Sequence, residues 1–216
     1  SDLKRKDFQY EDEAETLEVF REREIIKPKF LQEEKGFTAA EKGTLMHYVM
    51  LRLDFDRVGS VSEIKKQIEE LVLNKSLTEK EAKVIRYTKI FSFFKSELGK
   101  RILKAHEEGR MVHRELPFFT EISSLNINPE LNKEIYQNEK IRLQGIIDGF
   151  FKEEDGIVLF DYKTDYLEEG NEEEIIERYK IQMKYYKEAL EKITESRVKE
   201  IYLYLFALDK EVVLEI

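Results

Sequence analysis

The chain has 216 residues, 38% of them charged and 12% aromatic, with 14 Phe, 11 Tyr and no Cys. Such a composition is globular, and the lack of thiols excludes a disulfide scaffold, a thiolate zinc site and a cysteine-ligated iron–sulfur cluster. A formal net charge of −9 argues against a free-standing nucleic-acid binder, no apolar run approaches the ~18 residues needed to span a bilayer, and no signal peptide is visible.

Residues 1–35 are dense in charge, with a Glu-rich run over 11–24 and a thin apolar stripe from Leu17, Phe20, Ile25 and Ile26. They read as a charged helical arm or linker from a larger protein, ending near Pro28. The remainder, 36–216, is expected to form one domain. Thr38 and Glu41 make a capping box that opens a helix through about Leu53. Gly43 and His47 lie four apart and share one face of it. A mid-helix glycine costs ~1 kcal/mol of propensity, and it lets another backbone or a phosphate come close to that histidine. The plainer reading is a core histidine beside a helix-packing glycine.

Further helices are predicted over 63–74 after a Ser62 cap, over 79–86 after Thr78 with Glu81 completing a second capping box, and over 91–106. Together they form a helical N-terminal cap over one side of a sheet. Phe91, Phe93 and Phe94 read as core, and His106 and His113 as structural. Residues 111–120 then read as a strand, with Pro117 marking an edge or bulge. Glu115 in its middle is either a salt-bridge partner or a further carboxylate near a site. Residues 121–140 lack a clear period and read as an insertion loop or short hairpin.

The informative stretch is 141–166, IRLQGIIDGFFKEEDGIVLFDYKTDY, which has the pattern of a β-hairpin turning at Asp155-Gly156. Residues 157–160 are apolar on both faces, as in a strand buried mid-sheet, yet they run directly into Asp161-Tyr162-Lys163. Asp161 and Lys163 are two apart and share a face. A two-residue turn pairs Glu154 with Ile157 and sets Asp148 opposite Lys163; a four-residue loop sets Asp148 opposite Asp161. In either register Asp148, Asp161 and Lys163 converge. Charges at the end of a buried strand cost several kcal/mol unless paired or metal-bound. Two carboxylates and a lysine around one point suit a divalent metal and a polarised water; a salt bridge capping the strand end is the structural alternative. Residues 172–193 follow as an amphipathic helix with Ile175, Ile176, Tyr179, Met183, Tyr186 and Leu190 on its buried side, and with Gln182 and Tyr186 facing one way. Strands over 200–207 and 211–216 close the chain. No G-x-x-x-x-G-K-[ST] loop is present, so this stretch carries no nucleotide motor of its own.

The order G-T-L-M-H at 43–47, R-E-L-P-F at 114–118, G-I-I-D-G at 145–149, D-Y-K-T-D at 161–165 and Q-M-K-Y-Y at 182–186 resembles the RecB-family branch of the PD-(D/E)xK nucleases. Within that branch it is most similar to the nuclease domains of AddA-type helicase–nuclease subunits of bacteria. The resemblance covers roughly residue 36 to the C-terminus. Each motif is weak alone; five in this order are specific. It implies an α/β restriction-endonuclease-like core, a central mixed β-sheet flanked by helices, and a metal-dependent DNA exonuclease working in double-strand break repair. It also implies roles for single residues. Asp148, Asp161, the Tyr162 main-chain carbonyl and His47 hold the metal, Lys163 positions and helps deprotonate water, and Gln182 with Tyr186 forms a Q-x-x-x-Y motif near the DNA. Gly43 and Glu115 have supporting roles. The cofactor implied is Mg²⁺, with Mn²⁺ as the alternative because an imidazole ligand suits it better. The partners implied are a DNA single strand delivered by a helicase motor and an AddB-type subunit, in a bacterial cytoplasm. The absence of cysteine sets the chain apart from the iron–sulfur members of the branch. The rival from another class is a catalytically inactive nuclease-like scaffold that guides DNA or pairs subunits, and behind it a plain acidic interaction module.

Overall fold

A computed structural model describes residues 36–123, 139–164 and 172–216. The expected arm over 1–35 and most of the expected insertion over 121–140 lie outside these residues. The N-terminal half of the described chain is helical: α1 (Ala39–Arg52), a 3₁₀ turn (Phe55–Arg57), α2 (Val61–Leu73), α3 (Glu79–Val84), α4 (Tyr87–Lys95) and α5 (Glu97–Glu107). Both capping boxes form, Thr38 with Glu41 and Thr78 with Glu81. Two helix expectations change. The cap of α2 is Ser60 rather than Ser62, its hydroxyl accepting from the Glu63 N–H at 3.2 Å. The helix expected over 91–106 is two, because Ser96 takes an extended backbone and turns its hydroxyl onto the Gly99 N–H at 3.1 Å, ending one helix and starting the next.

The sheet is β1 (Val112–Ser123), β2 (Lys140–Glu153), β3 (Gly156–Lys163), β4 (Val198–Leu205) and β5 (Lys210–Val213), side by side in that order. It is mixed: β3 and β4 run parallel and every other neighbouring pair antiparallel. Parallel neighbours need a crossover, and α6 (Glu172–Thr194) supplies it. Each face of the sheet buries its own core. On one, Val49, Met50, Phe93, Phe94 and Leu98 of the helical cap pack on Phe151, Val158, Phe160 and Tyr204. On the other, Met183, Tyr186 and Leu190 of α6 pack on Ile147, Leu159 and Leu203. β3 is therefore covered on both sides, as its unbroken apolar run requires, and each such side chain contributes about 1.5–3 kcal/mol by leaving water.

The hairpin turn sits one residue earlier than the Asp-Gly pair suggests. Glu153 pairs with Gly156, so Glu154 and Asp155 make the turn and Gly156 opens β3. Counting back along this register sets Asp148 across from Asp161.

Candidate active site

β2 and β3 remain paired only as far as Gly149 and Phe160. One step further the ladder stops, and the residues at the parting are Asp148 and Asp161. Gly149 allows the strands to close up to that point, since a Cβ there would run into the Phe160 ring. On the other edge of β2, the pairing with β1 skips one position, between Arg114↔Gly149 and Leu116↔Ile147. The residue skipped on β1 is Glu115, whose φ of 50° is left-handed, and the residue opposite is again Asp148. The ladder thus breaks on both sides of Asp148.

The break shifts which way side chains point. Ile147 packs on the α6 side and Phe151 on the side of the helical cap, although strict alternation would put both on one face. β1 shifts in step: Arg114 reaches the cap, while Leu116 and Phe118 pack toward α6. The expectation that three charged residues share one face therefore holds for Asp161 and Lys163 but not for Asp148. Its Oδ2 accepts the Tyr162 N–H at 2.9 Å and lies 3.2 Å from His47 Nδ1 on α1, so it bridges the parted strand to the helical cap. Lys163 instead turns toward α6. Its Nζ lies 2.7 Å from Asp161 Oδ2 and donates to Gln182 Oε1 at 3.0 Å, while Gln182 Nε2 donates to the Tyr186 hydroxyl at 2.6 Å.

Neighbouring residues hold these groups in place. Arg114 donates to the Met50 and Leu53 carbonyls at 3.2 and 2.7 Å, tying β1 to the last turn of the helix that carries His47. The His47 ring packs edge-on against Tyr162 at 5.9 Å. Gly43 faces the end of β3, where an added Cβ would lie 2.6 Å from Thr164 Oγ1. What approaches α1 at that glycine is thus the residue after Lys163. Glu115 lines a small cavity with His47, Met50, Leu51, Arg114, Asp148 and Tyr162. The other two histidines are elsewhere, His106 against Asp56 at 3.1 Å and His113 stacked on Phe150 at 4.3 Å.

Asp148 and Asp161 are 5% and 2% exposed, which makes their charge the decisive property of the site. Burial pushes the Asp161 carboxyl up to about 6, and the negative charge of Asp148 adds to it, with Lys163 only partly opposing. Burial works the same way on Asp148, but His47, Lys163 and the Tyr162 N–H outweigh it and hold that carboxyl below its usual range. Among the described residues Asp161 Oδ2 accepts no aligned hydrogen bond; Lys163 lies close enough for an ion pair and is wrongly angled for more. A buried carboxylate with an oxygen left over, next to a second carboxylate, is what a cation would satisfy. Two carboxylates with an imidazole beside one of them are a donor set that fits a divalent ion. Among the described residues no group of three or more His, Asp or Glu side chains is arranged so that it could by itself hold a metal ion. An ion held by few side chains, with main-chain oxygen, waters and substrate completing its shell, is the usual magnesium arrangement.

The sequence model of the PD-(D/E)XK nuclease superfamily matches residues 17–215. The chain belongs to that superfamily. Its mixed five-stranded sheet flanked by helices is the restriction-endonuclease-like α/β fold. It is similar to the A subunit of the ATP-dependent helicase/nuclease of Clostridium beijerinckii, 51% identical over 98% of this chain and 17% of that protein. The corresponding protein of Clostridium perfringens strain 13 is 53% identical over 86% of the chain and 15% of its own length. That of Thermoanaerobacter sp. strain X514 is 51% identical over 90% and 15%. The chain thus spans about a sixth of the length of these relatives, and its resemblance to the AddA-type proteins is borne out. Among the described residues no helix is long and apolar enough to cross a membrane.

Proposed function

We propose that this PD-(D/E)XK chain is the DNA-cutting domain of an AddA-type helicase–nuclease, working as a Mg²⁺-dependent exonuclease in double-strand break processing and recombinational repair. The reading is carried by one observation: two buried carboxylates, Asp148 and Asp161, at the parting of β2 and β3, with an oxygen left unsatisfied beside a lysine.

Asp148, Asp161, the Tyr162 main-chain carbonyl and His47 are the groups that would hold the ion. When bound, it supplies positive charge for the phosphate and an acidified water. An ion held there would offset the burial and the Asp148 charge that push the Asp161 carboxyl up. Lys163 stays within reach of the same point, tied by Gln182, where its charge holds the attacking water and opposes the negative charge gathering on the phosphate. An ammonium cannot ligate a cation, so its part is in the chemical step. To ligate, His47 would have to present a neutral nitrogen, and a ligating histidine commonly leaves its other ring nitrogen hydrogen-bonded. Glu115 is placed to tune the charge on the Asp148 side of the cavity. The whole chain's net charge of −9 is consistent with DNA delivered by another part of a larger protein, read here as a single strand fed by a helicase motor, with an AddB-type partner protein, in the bacterial cytoplasm. The domain boundary proposed is an arm over 1–35 followed by the nuclease domain over 36–216.

The test is hydrolysis of single-stranded and duplex DNA in Mg²⁺, in Mn²⁺ and in EDTA. Cutting that needs the divalent ion and disappears in Asp148→Ala supports the reading. DNA binding without cutting in either metal, by the chain alone and joined to its motor, selects the inactive scaffold instead.

A further inference from the structure

Asp161 and Gln182 are two of the neighbours of the Lys163 ammonium, and a third has no role assigned above. Tyr179 presents the face of its ring to Nζ, 3.7 Å from the ring centroid. A cation over an aromatic face at that distance is held electrostatically by the ring's quadrupole, and more strongly where water is reduced, as here, with the lysine side chain 11% exposed. Tyr179, Gln182 and Tyr186 fall at i, i+3 and i+7 on α6, hence on one stripe of the helix. The stripe works as a unit. The Gln182 amide gives its N–H to the Tyr186 hydroxyl and so turns its oxygen to the ammonium, the orientation an ammonium requires. The Tyr179 ring closes the side that the amide leaves open. An ammonium has three N–H donors on a flexible four-carbon stem, and such a group is costly to hold in one direction unless each side is occupied.

We propose that Tyr179 is a positioning residue for Lys163: its ring face, with the Gln182 oxygen and the Asp161 carboxylate, fixes the direction of the ammonium. The Q-x-x-x-Y pattern is then the visible part of a longer Y-x-x-Q-x-x-x-Y device whose object is the lysine. The inference deepens the reading of Lys163 as the group acting in the chemical step and rests on it for its catalytic consequence. The geometry itself stands apart from that reading.

The experiment compares Tyr179→Phe, which keeps the ring, with Tyr179→Leu, which keeps apolar bulk and removes the π face. In protein carrying ¹³C-lysine, the Lys163 Hε signals, assigned by their loss in Lys163→Ala, are expected upfield of the other lysines because they lie near a ring face. The shift should survive in Tyr179→Phe and collapse in Tyr179→Leu. With single-stranded DNA and saturating Mg²⁺, Tyr179→Phe is expected to keep kcat within about twofold and Tyr179→Leu to lower it about tenfold, with KM and thermal midpoint nearly unchanged. Absence of the upfield shift in the unaltered protein overturns the proposal, whatever the enzyme does. So does a Tyr179→Leu variant with normal kcat, or one whose loss follows a fall in thermal midpoint and recurs equally in Tyr179→Phe. A protein that shows the shift but cuts no DNA under any condition retains the clamp and removes the proposed function instead.

Discussion

β3 has an ionic cluster at each end, built from the same kinds of side chain and opposite in character. At its start Arg101 donates to both Glu153 and Glu200, with Tyr202 beside it and Lys199 adding a second cation against Glu153 and Asp155. Each carboxylate there has a cation, and the Arg101 and Lys199 hydrogen bonds pull the Glu153 carboxyl down to about 2. At its other end burial and Asp148 push the Asp161 carboxyl up to about 6. The first cluster is complete as it stands. The second has two buried carboxylates and one ammonium, which lies beside Asp161 Oδ2 without aligning with it. Ion pairs on a strand end do not by themselves distinguish a fastening from a site; the balance of charge under burial does.

Four predictions test this contrast, beginning with the largest effect. Lys163→Ala should lower kcat on single-stranded DNA on the order of 10²–10³-fold, the scale of losing one preorganised electrostatic group, while metal affinity by calorimetry stays or rises. A large fall in metal affinity would mean that the lysine only fastens Asp161. Arg101→Met should do the reverse. It should cost about 2 kcal/mol in denaturant unfolding, between the roughly 0–1 kcal/mol of exposed pairs and the roughly 3–5 of buried ones, and leave DNA cutting per folded molecule unchanged.

The third prediction concerns pH in metal-free buffer, where the two ends should respond with opposite sign. The lowered Glu153 contributes stability that is present above its ordinary value and lost as pH falls toward about 2. The raised Asp161 contributes stability that is full below about 4, its ordinary value, and lost as pH rises through about 6. Between pH 4 and 6 the thermal midpoint of the metal-free protein should therefore fall by on the order of 5 °C through Asp161. Asp161→Asn should flatten that fall, and added Mg²⁺ should raise the midpoint of the unaltered protein at pH 7 but not that of the variant. A midpoint independent of Asp161 across this window would remove the charge argument for the site. The smallest effect is a control. Tyr204 is fully buried and its hydroxyl, like Asp161 Oδ2, has no hydrogen-bond partner among the described residues, but it is uncharged and packed among Phe93 and Phe206. Tyr204→Phe should gain up to about 1 kcal/mol in unfolding and leave activity alone, because a neutral orphan among aromatics costs stability without providing a ligand.

Whatever a single element's period decides was legible in the sequence. Thr38 and Thr78 with a glutamate three residues on could only cap helices. The apolar run 157–160 could only be a strand covered on both faces, and a two-residue repeat put Asp161 and Lys163 side by side. A three-and-four-residue repeat put Gln182 over Tyr186 in the same way, and the Q-x-x-x-Y pattern already sat on the helix stripe that also carries Tyr179. What lies between elements was settled only by their packing. The turn falls at Glu154 and Asp155 because Gly156 serves as a strand residue, and the helix expected over 91–106 divides because Ser96 caps a new one. Asp148 leaves the face it would share with Asp161 because the ladder breaks on both sides of it, at Glu115 on one strand and past Gly149 on the other. His47 meets Asp148 only because Arg114 fastens α1 to β1, and the Tyr179 ring meets Lys163 only because α6 crosses back over β3. Backbone period fixes directions within one helix or strand, whereas packing of the two cores sets the distances between them. A site made of α1, β2, β3 and α6 depends on both.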